Sequence, residues 1–363
     1  MNDAPVTTNS RSTPTPVMEV GHDVGMSLRA ILPRLVKGEG LPKHHAAKLL
    51  DALLDADATD AQIGAALIAL TIKGPSVEEL VGLAGAMRER AVRIQCQQDR
   101  FIDTAGTGSS SAKCFNVSTA TAFVVAGAGL PVAKHGARAA TSHTGSADVL
   151  SELGVEINAS REVSEQCLNE VGLCFMFAPL YHQATARVAA IRRQLGVRTA
   201  FNLVGPLTNP AGAPNQIIGV WHSTLIETMA HALSRLGTTK SWVVHGRDGL
   251  DEITVTGKTA VAESSAGKLR TFEIEPKDFG LSVSSLESIR CDDPKSSAAI
   301  VRNVLNGTRR DAARDLVIIN AAAALFVGGL ARDLNHARLQ AETSIDEGAA
   351  LAKLQQLIAR TNR

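Results

Sequence analysis

The stretch Asp103-Thr104-Ala105-Gly106-Thr107-Gly108-Ser109-Ser110-Ser111 decides how this chain reads. Before it, Phe101-Ile102 is a short apolar run of strand type. After it, residues 115–126 (FNVSTATAFVVA) are small, apolar and long enough for a buried helix. A strand, a glycine turn and a helix N-terminus together form an arrangement that receives phosphate. Glycine lets the backbone approach the anion, and the first N–H groups of the helix point at it. Asn116, Ser118 and Thr119 add donors at the same end. An ordinary strand-to-helix turn has the same local pattern, so this stretch needs support from elsewhere in the chain.

Composition bounds what that support can be. The chain has 363 residues, enough for two domains or one large one. Hydrophobic residues make up 45% and aromatic residues 3%, so the core is built from Ala, Leu, Val and Ile. Lys and Arg number 37 against 36 Asp and Glu, which gives no electrostatic footprint for nucleic acid or an acidic membrane surface. The five cysteines, without C-x-x-C spacing, point away from a disulfide framework or zinc site and towards a reducing cytoplasm. No apolar run reaches membrane-spanning length. Residues 1–15 are rich in Thr, Ser, Pro and Asn, and residues 1–22 read as a disordered tail.

Two patterns divide the rest. Residues 23–97 read as a small helical domain, with Leu28, Ile31, Leu32 and Leu35 at helical spacing. Thr59-Asp60-Ala61-Gln62 and Ser76-Val77-Glu78-Glu79 fit capping boxes. Residues 98–363 read as a larger α/β domain. In it, apolar runs at 131–133, 174–177, 217–221 and 242–244 alternate with helical stretches, predicting a mostly parallel sheet covered on both faces. Residues 253–256, 258–263 and 268–274 are expected to be consecutive strands. Helices are expected at 296–305, 311–325 and 341–359.

Other candidate residues fall on loops after expected strands. Lys134-His135-Gly136-Ala137-Arg138 suits a phosphate-rich ligand, although two basic residues on a loop also fit a solvated surface. Ser142-His143-Thr144-Gly145-Ser146 offers hydroxyls to the same anion. Asp251-Glu252 places two carboxylates side by side, which a cation would neutralise; two solvated acids on a turn fit equally well. Arg192 lies on a helix following Tyr181-His182. Residues 201–210, punctuated by proline, are expected to be a rigid connecting loop.

Taken together, and in this order, these motifs resemble the anthranilate phosphoribosyltransferases of tryptophan biosynthesis, from about residue 27 to near the C-terminus. The resemblance implies a small helical domain, completed by helices within about 183–215, packed on the α/β domain with the substrates in the cleft between. It also implies a homodimer. Phosphoribosyl pyrophosphate would contact Gly106, Thr107, Gly108, Ser109, Ser110 and Cys114. Asn116, Ser118, Thr119, Lys134, Ser142 and Ser146 would complete that subsite. Anthranilate would be held by Gly106, His135, Ala137, His182 and Arg192. Magnesium would be bound by Ser118, Asp251 and Glu252, directly or through water.

Two positions depart from the family pattern. Ser109-Ser110 stands where glycine and aspartate are usual, and Ala137 where asparagine is usual. The resemblance implies transfer of phosphoribose to the amino group of anthranilate. The departures motivate one alternative, a paralogue with another aromatic or nitrogenous acceptor; a pyrimidine nucleoside phosphorylase, against which the intact Asp251-Glu252 speaks, and a silent nucleic-acid-binding homologue are two more. The balanced charge, Lys134 and the acidic pair speak against the latter.

Overall fold

The computed structural model describes residues 27–108, 114–139, 144–291 and 293–363. The expected tail at 1–22 and the site candidates Ser109, Ser110 and Ser142 lie outside the described residues.

Four helices come first: α1 (Leu28–Val36), α2 (Lys43–Leu54), α3 (Asp60–Lys73) and α4 (Val77–Arg90). Both capping boxes form. Glu79, the acid of the second box, is fully buried. Its carboxylate accepts from the Ser76 N–H (2.7 Å), the Leu41 N–H (2.9 Å) and the Lys73 ammonium (2.6 Å). The cap of α4 therefore also fixes the lead-in to α2, and a buried charge is tolerated because every bond is made.

Seven strands follow: β1 (Ile102–Gly106), β2 (Val132–Gly136), β3 (Leu173–Phe177), β4 (Asn215–Gly219), β5 (Lys240–Gly246), β6 (Thr259–Ser265) and β7 (Lys268–Ile274). They form one sheet in the order β3-β2-β1-β4-β5-β6-β7. The pairs from β3 to β5 are parallel, and β6 and β7 are antiparallel. Between the strands run α5 (Val117–Gly127), α6 (Ser146–Leu153), α7 (Arg161–Gln166), α8 (Ala178–Tyr181), α9 (Ala186–Leu195), α10 (Phe201–Val204) and α11 (Leu225–Arg235). After β7 come α12 (Pro294–Leu305), α13 (Ala312–Val327), α14 (Leu334–Asp346) and α15 (Ala349–Thr361).

Side-chain alternation sorts the core into two layers. Ile217, Trp242 and Val244 pack with α5 and α13, whereas Ile218 and Val243 pack with α11 and the first four helices. α9 packs on α2 and α3, and α10 on α4. Arg88 of α4 donates to the carbonyls of Leu207 (2.6 Å) and Leu236 (2.9 Å), joining the helical layer to the mid-chain segment.

The chain runs outward from β1 to β2 and β3, then returns to β4 on the other side of β1. Such a reversal opens a crevice at the carboxyl ends of the two central strands. Here those ends are Gly106 and Gly219, which are register partners.

Four local expectations change. Residues 253–256 are not a strand, because the backbone N–H and C=O of Ile253 bond to the Asn320 side chain and leave the ladder. The expected helix at 341–359 is two helices, α14 and α15, broken where Gly348 takes a φ of 77°. Residues 201–210 are not a plain loop: α10 and a 3₁₀ turn at Gly205–Leu207 occupy most of them. Lys134, His135 and Gly136 belong to β2 itself, and Asp103 to Gly106 to β1. Parallel pairing extends each strand past its apolar run because both neighbours supply ladder bonds.

Candidate active site

A cavity of about 850 Å³ opens over the carboxyl ends of β1 and β2. Its first wall is the turn after β1 and the start of α5. Gly106, Thr107 and Gly108 line it, with Cys114, Asn116 and Ser118 beyond. The Thr107 N–H and hydroxyl both turn back to the Gly219 carbonyl (2.9 and 3.2 Å), pinning the turn to β4. Asn116 caps α5 by accepting from the Thr119 N–H (3.1 Å). Thr119 itself is fully buried and does not line the cavity. One helical step away, Ser118 does.

Lys134 reaches this wall from β2. It is buried, and its ammonium donates to the Thr104 carbonyl (2.6 Å) and the Ser118 hydroxyl (3.2 Å). Burial lowers its pKa; Asp103 and Glu252 pull it back up. Asp103 lies beneath, fully buried, accepting from Asn209 Nδ2 (2.7 Å). Burial pushes its carboxyl up to about 6 against the opposing effects of Lys134 and Asn209.

Asp251 and Glu252 line the cavity from the loop between β5 and β6. Burial first, then repulsion from Asp251, pushes the Glu252 carboxyl up to about 8. The loop lies tight on β4: a Cβ on Gly219 would sit 1.6 Å from the Asp251 carbonyl oxygen, so only glycine fits there.

The opposite wall carries different chemistry. Arg192 of α9 is held by the Thr199 hydroxyl and the Asn202 carboxamide (3.1 Å each) and lies over the Phe201 ring at 5.8 Å. Its fork is fixed in direction by these partners. His135 and His182 meet edge to face, ring centroids 5.1 Å apart. Both Nε2 atoms are buried without a hydrogen-bond partner. Burial drives the His135 pKa down to about 3 and that of His182 to about 4, despite backbone bonds at Gly205 and Thr208. Both rings are therefore neutral at pH 7. Ala137 lies exposed on the cavity rim, and Ser146 of α6 faces the end of β2.

Sequence models of two glycosyl transferase family units match the chain: the helical bundle domain at residues 29–91 and the a/b domain at residues 98–351. An anthranilate phosphoribosyltransferase of Moorella thermoacetica is 47% identical over 332 residues, covering 92% of this chain and 98% of the relative. One from Methylobacterium nodulans is 45% identical, covering 93% and 99%. The chain belongs to the anthranilate phosphoribosyltransferase family. Among solved structures, the anthranilate phosphoribosyltransferase of Thermus thermophilus superposes with a TM-score of 0.85 at 35% identity, covering 92% of this chain and 99% of that one. The Saccharomyces cerevisiae enzyme in complex with PRPP and Mg superposes with a TM-score of 0.83 at 26% identity, covering 92% and 98%. The same yeast enzyme is known in complex with 4-fluoroanthranilate.

The acidic pair can be weighed for a cation on its own chemistry. Two adjacent carboxylates, one with its pKa raised by burial and then by the other, are relieved by a divalent ion. No group of three or more His, Cys, Asp or Glu side chains suited to a metal occurs among the described residues. This donor set fits a hard cation shared with a ligand's oxygens, as magnesium prefers, and does not fit a closed protein cage.

The sequence assigns no role to Asp148 or Asp103, and gives Asn209 only a place in the connecting loop at 201–210. Asp148 accepts from Arg138, the Ala139 N–H and the Gly145 N–H (2.7, 2.9 and 3.1 Å), which ties the backbone at Ala139 and at Gly145 to the start of α6. Asn209 ties residues 205–210 to β1 and β2 through Asp103 and the Ala133 carbonyl. The one sequence signal for Asp103 is an acid inside an apolar strand run.

Proposed function

We propose that the chain transfers phosphoribose from phosphoribosyl pyrophosphate to the amino group of anthranilate, giving N-(5-phosphoribosyl)anthranilate and pyrophosphate. The observation that carries this reading is one cavity with two unlike walls, an anion-binding wall at α5 and Lys134 and a neutral wall ending in Arg192. Relatives of this name at 47% and 45% identity support it.

In this reading Lys134, Ser118 and the N–H groups at the start of α5 hold the diphosphate and the developing charge on it. The Arg192 fork holds the anthranilate carboxylate and aims the amine at the anomeric carbon. The nitrogen lone pair forms the C–N bond as the C–O bond to pyrophosphate breaks, its electron pair leaving on the pyrophosphate oxygen. The amine proton passes to water. The ribose carbon becomes electron-poor, and the neutral rings of His135 and His182 add no positive charge beside it. Asp251, Glu252 and Ser118 would hold magnesium, which supplies charge neutralisation of the diphosphate when bound. Positioning and electrostatics carry the reaction without a covalent nucleophile.

We also read the chain as a cytoplasmic homodimer. Five cysteines without C-x-x-C spacing agree with a reducing compartment. Val36 and Ile72 are exposed apolar side chains on the paired helices α1 and α3, where a second copy would cover them. No helix among the described residues is long and apolar enough to cross a membrane. Light scattering at micromolar concentration should give twice 38.1 kDa; the monomer mass throughout would remove the dimer.

The test of function is product analysis with phosphoribosyl pyrophosphate, magnesium and a panel of anthranilate, other aminobenzoates and nucleobases. Phosphoribosylanthranilate is the expected product. Turnover of another acceptor with none of anthranilate would favour the paralogue that Ala137 suggests.

A further inference from the structure

Asp251 and Glu252 sit in a twelve-residue connection, 247–258, between the antiparallel strands β5 and β6. A loop of that length without regular structure has no reason of its own to present two carboxylates in one place. It is held at both sides of the pair. Before it, the Leu250 N–H donates to Asp248 Oδ1 (3.1 Å), and the Leu250 carbonyl accepts from the Gly246 N–H (2.8 Å). Asp248 Oδ2 also accepts from the hydroxyls of Thr254 (2.6 Å) and Thr256 (2.8 Å), closing the loop on itself.

After the pair, the support comes from a different part of the chain. Asn320 lies mid-way along α13, whose sequence AARDLVIINAAAALFV is apolar for most of its length. Asn320 is 2% exposed. Its Oδ1 accepts from the Ile253 N–H (3.0 Å), and its Nδ2 donates to the Ile253 carbonyl (2.9 Å) and the Leu316 carbonyl (2.8 Å). The carboxamide thus grips both polar atoms of residue 253, the residue next to Glu252, from a helix that cannot move without disturbing the core. A buried amide at this position is costly unless its bonds are made, and a leucine would suit the surrounding core better.

We propose that Asn320 is a positioning residue for the Asp251-Glu252 pair, setting through Ile253 the reach of the two carboxylates towards a divalent cation. This rests on the reading of that pair as cation-facing. Its distinction from a merely structural role is directional. A structural amide would affect stability and all ligands alike, whereas a positioning amide affects the cation wall and spares the Arg192 wall.

The probe is Mn²⁺ with inorganic pyrophosphate, titrated into the full chain with free Mn²⁺ counted by electron paramagnetic resonance. Asn320→Leu should weaken Mn²⁺ binding at least tenfold, raise the Mg²⁺ concentration for half-maximal turnover by a similar factor, and move the anthranilate KM less than twofold. Asn320→Ser, smaller and too short to span both atoms of Ile253, should do the same and serves where the leucine variant does not fold. Thermal midpoints of both are recorded. Unchanged Mn²⁺ affinity in a folded variant overturns the proposal. So does equal loss of Mn²⁺ and anthranilate binding in step with the thermal midpoint. Asp251→Asn with Glu252→Gln is the control. If it loses Mn²⁺ while Asn320 variants do not, the inference fails and the cation reading stands. If it binds Mn²⁺ as the wild type does, the cation reading fails and takes the inference with it.

Discussion

The two walls of the cavity are built by different means. The α5 wall is made of strand ends, a helix start and the loop between β5 and β6, and it gathers ionisable groups close together: Lys134 buried, beside Asp251 and a Glu252 carboxyl that burial and then Asp251 raise to about 8. The Arg192 wall joins short mid-chain helices to the end of β2, and apart from Arg192 its key groups, His135 and His182, are held neutral. The difference is electrostatic economy. An anion and its cation neutralise the charges of the first wall on arrival, whereas a neutral amine needs shape and direction from the second.

That contrast can be broken experimentally. The largest effect should come from Asp251→Asn with Glu252→Gln. Magnesium-dependent turnover should fall on the order of a thousandfold, the scale of losing a cation's transition-state stabilisation. Steady-state rates against magnesium check it, and near-wild-type activity would reduce the pair to surface acids. Next is Arg192→Ala. Losing charged hydrogen bonds worth about 1.5–3 kcal/mol should raise the anthranilate KM roughly ten- to a hundredfold. The phosphoribosyl pyrophosphate KM should stay within twofold, and an equal rise in both would erase the distinction between the walls.

A smaller effect separates the walls by pH. His135 and His182 have folded pKa values near 3 and 4, below the ordinary 6.5. The unfolded chain binds more protons between those values, so stability is full above pH 6.5 and is lost as pH falls towards 4. Glu252 has the opposite sign. Its folded pKa of about 8 exceeds the ordinary 4.5, so its contribution is full below pH 4.5 and is lost as pH rises through 8. In the metal-free protein, His182→Asn should flatten the acid side of the thermal-midpoint profile and Glu252→Gln the side between about pH 4.5 and 8. Profiles unchanged by either substitution would contradict these environments.

The smallest effect is at Ala137. An amide restored on the exposed rim should lower the anthranilate KM in Ala137→Asn by a factor on the order of three to ten, a single net hydrogen bond. Kinetics with each substrate varied will show it, and a raised KM would mean that the pocket has been reshaped for another acceptor.

Much of this was legible in the chain. The Gly106 turn, the apolar run after it and the two capping boxes are local signals, set within a few residues by backbone sterics and side-chain-to-backbone bonds. The alternation of apolar runs and helical stretches gave the mostly parallel sheet. Strand ends were misplaced because ladder bonds from neighbours carried β1 and β2 beyond their apolar residues. Residues 253–256 have strand composition, and only a side chain 67 positions away removed them from the sheet.

What the sequence alone determined is which elements form and which reactive residue types each one carries, because those depend on near neighbours. Its residues singled out Lys134 and Asp251-Glu252 one loop at a time, and only the family resemblance put them in one cleft. Tertiary structure decided the rest: that β1 and β4 meet, that Thr119 turns inward while Ser118 faces the cavity, and that His135 and His182 lose water and remain neutral. Burial and strand order are properties of the whole chain, since desolvation depends on what residues far along the sequence place on top of a group.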